Sequence, residues 1–307
     1  MHIFFVVTKW VKVWFLTILI AAAFIVYLNF KNSPLPSTDN SSRFSEESHA
    51  EVVTSFFENV PTKGECETDI PILNDDQWLL VWHDEFTNDC IDNSKWNLEN
   101  WDAEKNNELQ YYIPENVVVE EGRMRLISKK EWLGDSEYTS GAVHTKGKFN
   151  MLYGKIEMRA KLPIGKGVFP AFWLMADKED TWLPEIDIME MLGHKPDEIW
   201  MVVHWLNENG RLMSDFDFFK GPDFSADYHT FGMEWTPNSI TWFIDGEVRF
   251  TSNVHVPKEP MYIYVNTAIG GNWPGSPDWT TTFPTTFDID YIRVFSYKEN
   301  SLYDKAF

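Results

Sequence analysis

Residues Tyr153–Leu162 read YGKIEMRAKL. Tyr153, Lys155, Glu157, Arg159 and Lys161 share one side of a period-two alternation, and Gly154, Ile156, Met158, Ala160 and Leu162 share the other. Successive side chains of a strand point to opposite faces, so this stretch is a strand with one wet face and one apolar face. The signature recurs along the chain. Met124, Leu126 and Ser128 alternate with Arg125, Ile127 and Lys129, and Trp78–Trp82, Glu108–Ile113, Asn116–Val119, Met261–Thr267 and Phe287–Tyr297 are further short strand runs. Ile240–Ile244 and Glu247–Phe250 flank Asp245-Gly246, a pair that tolerates the positive φ angles of a tight hairpin turn. No stretch carries the period of a three-turn helix. The pattern predicts an all-β domain of two packed antiparallel sheets.

Composition agrees. The 307 residues are 44% hydrophobic and 16% aromatic, too apolar for a disordered chain. A formal net charge of −21 repels phosphate backbones, and no basic stripe offsets it, which argues against a nucleic-acid partner. Two cysteines are too few for a disulfide scaffold or a Cys-rich zinc site.

The first residues follow different rules. Lys9 and Lys12 precede the uncharged run Val13–Leu28 that Lys31 closes, and the wider stretch Val11–Phe30 counts 20 residues. At ~1.5 Å per residue that length spans a ~30 Å hydrocarbon layer. The run stays apolar past Ala21-Ala22-Ala23, so an uncleaved signal-anchor over 1–31 is preferred to a cleaved signal peptide, with the lysines cytoplasmic and the rest exported. Residues 32–74, rich in Ser and carrying Pro34, Pro36 and Pro61, read as a flexible linker. Residues 75–298 form the domain and 299–307 a short tail without a hydrophobic anchor signal. In an exported chain Cys66 and Cys90 are expected to bridge.

Residues 182–191 read WLPEIDIMEM. Glu185 and Asp187 project together, with Ile186 and Ile188 toward the opposite layer. Glu190 stands at an odd offset from Glu185 and would point into the core of a regular strand, where an unpaired carboxylate is costly. One extra residue bulged at Ile188 or Met189 returns it to the face of the other two. Three such acids suit catalysis by a carboxylate pair, a cation site or a solvated face, and spacing alone leaves all three open.

The motif resembles the active-site strand of glycoside hydrolase family 16, in its bulged laminarinase form rather than the shorter lichenase form. The likeness runs from Trp78 to Phe295. It includes LVWHDEF at Leu80–Phe86, NELQYY at Asn107–Tyr112, YTSGAVHTKGK at Tyr138–Lys148, GVFPAFWLM at Gly167–Met175, HTFGMEWT at His229–Thr236, TAIGGNWPG at Thr267–Gly275 and DYIRVF at Asp290–Phe295. Pro184 departs from the pattern, since many relatives have Gly before the first acid.

The resemblance implies a concanavalin-like β-jelly-roll sandwich with a concave cleft and a retaining mechanism. Glu185 would be the nucleophile, Glu190 the general acid and then base, and Asp187 the group that shares a proton with the nucleophile. Trp173 and Trp182 are the foremost sugar platforms, with Trp273 and Trp279 behind them, and His204 and Asn107 would contact sugar near the acids. Catalysis would need no cofactor. A structural calcium would be held on the convex face by Glu85, the Gly122 carbonyl and Asp290. The implied substrate is a neutral β-glucan, foremost β-1,3-glucan cut internally. Alternatives are a non-catalytic β-glucan recognition protein, a transglycosidase, a mixed-linkage glucanase or an agarase. A domain at −18 is a poor partner for sulfated polymers. Oligomeric state is not legible.

Overall fold

The computed structural model describes residues 77–103, 105–178 and 181–298. The predicted signal-anchor, the linker, Cys66 and the tail lie outside them. Among the described residues no helix is long and apolar enough to cross a membrane. Cys90 is disulfide-bonded.

The described residues hold 18 strands. The first eight are β1 (Trp78–Asp84), β2 (Asn97–Leu98), β3 (Trp101–Asp102), β4 (Gln110–Tyr112), β5 (Val117–Glu120), β6 (Arg123–Ser128), β7 (Tyr138–Ser140) and β8 (Ala142–His144). Longer strands follow: β9 (Gly154–Lys161), β10 (Val168–Ala176), β11 (Glu185–Met191), β12 (Glu198–Leu206) and β13 (Leu212–Lys220). The last are β14 (His229–Trp235), β15 (Ile240–Ile244), β16 (Glu247–Ser252), β17 (Met261–Ile269) and β18 (Thr285–Tyr297). One sheet runs β16-β15-β14-β9-β18-β6-β5, with β1 also on β18, and a second runs β13-β12-β11-β10-β17-β8-β2. A small third sheet, β3-β4-β7, includes the parallel pair β4–β7.

The two large sheets pack into a sandwich because each has one apolar face. In β9, Ile156, Met158 and Ala160 are fully buried between charged neighbours, as the alternation predicts. They join one core with Ile186, Ile188 and Met191 of β11, Ile199, Met201 and Val203 of β12, and Phe231, Met233 and Trp235 of β14. The hairpin turn takes the predicted form, with Asp245 at φ 54° and Gly246 at φ 77°. The run at Glu108–Ile113 is shorter than predicted. Glu108 makes only an isolated bridge with Gly270, and the strand begins at Gln110. Likewise Pro114–Asn116 is a helical turn, and the following strand starts at Val117.

Candidate active site

The open face of the second sheet can be read from its register, since residues paired across antiparallel strands share a face. Glu185 pairs with His204, Asp187 with Val202 and Glu190 with Trp200. Between Asp187 and Glu190 β11 advances three residues while β12 advances two. On the other side Asp187 pairs with Trp173 and Met189 with Phe172, so β11 gains its extra residue at Ile188. That bulge is where the cost of a buried Glu190 required one. It lets Ile186, Ile188, Met189 and Met191 enter the core while all three acids stay on the open face. From below, the indole N–H of Trp242 on β15 crosses the sandwich and donates to the Asp187 carbonyl at 2.9 Å.

The acids are close and poorly solvated. Asp187 is 2% exposed. Its Oδ2 lies 3.4 Å from His204 Nε2, and Glu185 Oε1 lies 3.9 Å from the same nitrogen. Burial pushes Glu185 up to about 8, while its hydrogen bond with Asp187 pulls the other way. Burial, the carboxylates of Glu185 and Glu190, and that same bond drive Asp187 well above the ordinary carboxylate range. Glu190 is also pushed to about 8, by burial and then by Glu185. Charges this near one another cannot all be anions, so the cluster holds protons at neutral pH. Burial lowers His204, whose ring therefore stays neutral there, and its Nδ1 meets Ser214 Oγ at 2.5 Å. Among the described residues, Glu185, Asp187 and His204 are the group whose donor atoms, all within 4.8 Å, are close enough to share a cation.

The other predicted contacts fall in several places. Trp173 sits beside the acids on β10, its indole N–H donating to Asn266 Oδ1 at 2.9 Å. Asn266 Nδ2 in turn donates to the Tyr112 hydroxyl at 2.9 Å, so the ring is held from behind. Trp182 is 52% exposed, with Lys105 Nζ 6.0 Å from its ring. Asn107 donates to Asn272 Oδ1 at 2.6 Å, tying together the loops before β4 and after β17. Trp273, in the latter loop, meets Phe169 edge-on. Trp279 stands 94% exposed.

Asn266, Tyr112 and the Tyr264 hydroxyl bonded to Glu99 at 3.0 Å were not singled out in the sequence. Their signal is non-local: β10 lies beside β17 with Trp173 opposite Tyr264. The predicted calcium ligands do not form a cage. Both Glu85 oxygens bond Arg293, at 2.9 and 2.7 Å, and Asp290 bonds Arg159 at 2.5 Å. Gly122 lies in the β5–β6 turn. With both carboxylates turned to guanidinium groups, these residues as placed do not fit a calcium ion.

Known proteins supply the remaining comparison. The chain is 34% identical over 256 residues to the glucan endo-1,3-beta-glucosidase A1 of Niallia circulans, covering 70% of this chain and 37% of that protein. It is 34% identical to the beta-glucanase of Rhodothermus marinus, covering 72% of this chain and 86% of that one. The solved catalytic domain of an endo-1,3-beta-glucanase (laminarinase) from Thermotoga petrophila superposes with a TM-score of 0.67 at 38% identity, over 72% of this chain and 98% of that one. Residues 92–293 match the family model for glycosyl hydrolases family 16. With that match, a two-sheet sandwich and a bulged strand presenting three acids, the chain belongs to glycosyl hydrolases family 16.

Proposed function

We propose that the chain is a retaining endo-hydrolase of neutral β-glucan, acting on internal β-1,3 linkages. The observation that carries this is the bulge at Ile188, which sets Glu185 and Glu190 on one face across four residue steps of β12. That is a backbone span of ~13 Å, which two inward-leaning glutamates close toward the ~5 Å of a retaining pair.

In the first step Glu190 gives its proton to the glycosidic oxygen. The Glu185 carboxylate attacks the anomeric carbon, and the bond to the leaving oxygen breaks. In the second step Glu190, now a carboxylate, takes a proton from water as that water attacks the same carbon and releases Glu185. Asp187 stays protonated and shares that proton with Glu185, which orients the nucleophile and limits its negative charge before attack. The neutral His204 ring closes the site beside them. Trp173, pinned by Asn266, offers a flat face to a sugar ring. No step draws on a cofactor.

The uncharged run Val13–Leu28, with Lys9 and Lys12 before it, supports an exported domain held at a membrane by its N-terminal segment.

The test is a reducing-end assay on laminarin, lichenan, agarose and carrageenan, with Glu185→Gln as control. Activity confined to glucans and lost in the variant is expected. Activity retained by Glu185→Gln, or none on any glucan by the wild type, overturns the assignment.

A further inference from the structure

Glu185, His204 and Ser214 form one row across β11, β12 and β13, each paired in register with the next. Asp187 stands at the next open-face position of β11, and its Oδ2 is buried with no hydrogen-bond partner. An orphaned carboxylate oxygen at 2% exposure is costly, so the geometry leaves a place for a positive centre there. His204 Nε2 lies 3.4 Å from that oxygen and 3.9 Å from Glu185 Oε1. On the far side of the ring, Nδ1 meets Ser214 Oγ at 2.5 Å. A ring that donates its Nδ1 proton to this hydroxyl turns a lone pair at Nε2 toward the orphaned oxygen. Two lone-pair atoms at that separation need a proton or a metal ion between them.

The distances and the donor types select the ion. Zinc bonds of ~2.0–2.1 Å at tetrahedral angles set donor atoms ~3.4 Å apart, which matches His204 and Asp187. Glu185 reaches the same distance by a small side-chain rotation. One imidazole and two carboxylates suit zinc, with a fourth position open to water, whereas calcium and magnesium call for about six oxygen ligands or more. A dication entering here displaces the proton that the carboxyls share and sends it to solvent.

We propose that Glu185, Asp187 and His204, backed by Ser214, bind a transition-metal dication, zinc foremost, and that the bound ion switches hydrolysis off. The ion holds the Glu185 oxygen that must attack the anomeric carbon, so metal and substrate exclude one another. The inhibition rests on the glucanase reading above; the binding does not. The test titrates ZnCl2 into the metal-free full chain, by calorimetry and by initial rates on laminarin near neutral pH. Competitive inhibition is expected, with no effect of CaCl2 or MgCl2 at equal concentration. His204→Gln should weaken zinc binding roughly a hundredfold and Ser214→Ala roughly tenfold. His229→Gln, which removes the exposed His229–Asp245 pair, should leave the inhibition unchanged. Cobalt in place of zinc, read on the wild type so that no variant has to fold, should show the visible bands of a four-coordinate ion. Zinc binding of equal strength in wild type and His204→Gln, or a wild type without those cobalt bands, overturns the site. Zinc bound through His204 without loss of laminarin turnover overturns the switch. A wild type inactive on every glucan overturns the glucanase reading, and calorimetry and the cobalt spectrum then decide the metal site on their own.

Discussion

Replacing Glu190 by Gln should abolish turnover and, at alkaline pH, make the protein more stable. Burial and the nearby Glu185 carboxylate raise Glu190 from 4.5 to about 8. A carboxyl raised in this way contributes its full stabilisation below the unfolded value, where it is protonated in both states. That contribution is lost progressively as pH climbs from about 4.5 to about 8, because over that range the unfolded chain releases to water a proton that the folded protein keeps. At about 1.4 kcal/mol per pH unit, the displacement sets a ceiling of about 5 kcal/mol. Glu185 is raised too, neutralising one partner relieves the other, and the open face admits water, so the expected gain is about 1–3 kcal/mol. For a domain of this size that is a Tm rise of roughly 3–10 °C near pH 9, shrinking toward zero near pH 5. Differential scanning calorimetry of wild type and Glu190→Gln at both pH values measures it, with Glu247→Gln on the exposed hairpin as control. A Glu190→Gln protein less stable than wild type near pH 9, or a Tm difference independent of pH, would refute the reasoning.

Deleting Ile188 leaves the order Glu-Ile-Asp-Met-Glu-Met, a regular strand whose third acid keeps its face because β12 spans four steps either way. The loss of a buried isoleucine should cost about 2–5 kcal/mol. Laminarin turnover should nevertheless stay within roughly a hundredfold of wild type, against a loss of roughly a thousandfold or more for Glu190→Gln; a folded but inactive deletion, judged by circular dichroism and assay, would contradict this. Trp242→Phe leaves the Asp187 carbonyl without its indole donor and should cost about 1–3 kcal/mol in denaturant unfolding, with kcat falling more than KM rises. Asn266→Leu frees the Trp173 indole and should raise KM several-fold, roughly a kcal/mol of lost preorganisation, while kcat changes little in steady-state kinetics.

What sequence revealed was what local periodicity encodes. The β9 alternation, the Asp-Gly hairpin and the odd offset of Glu190 each state a physical demand within ten residues, and the fold meets each one. Pairing at a distance left no such trace. Asn266 reaches Trp173 across 93 positions, and the row of Glu185, His204 and Ser214 needs β11, β12 and β13 side by side. The strand reading also overstated length where backbone conformation decides the boundary, as at Asn116, which ends the helical turn Pro114–Asn116. The convex-face carboxylates were assigned by resemblance to relatives, but their arginine partners lie on strands that only the register brings near. Glu85 meets Arg293 across 208 positions.

The mechanism turns on which carboxyl forms the bond to sugar. Incubation with a 2-deoxy-2-fluoro-laminaribiosyl fluoride, followed by peptide mapping in the mass spectrometer, reads that out. A single glycosyl adduct on Glu185, absent from Glu185→Gln, is the predicted result. Label on Asp187 or Glu190, or turnover of laminarin with no trapped adduct and inversion at the anomeric carbon, would contradict it.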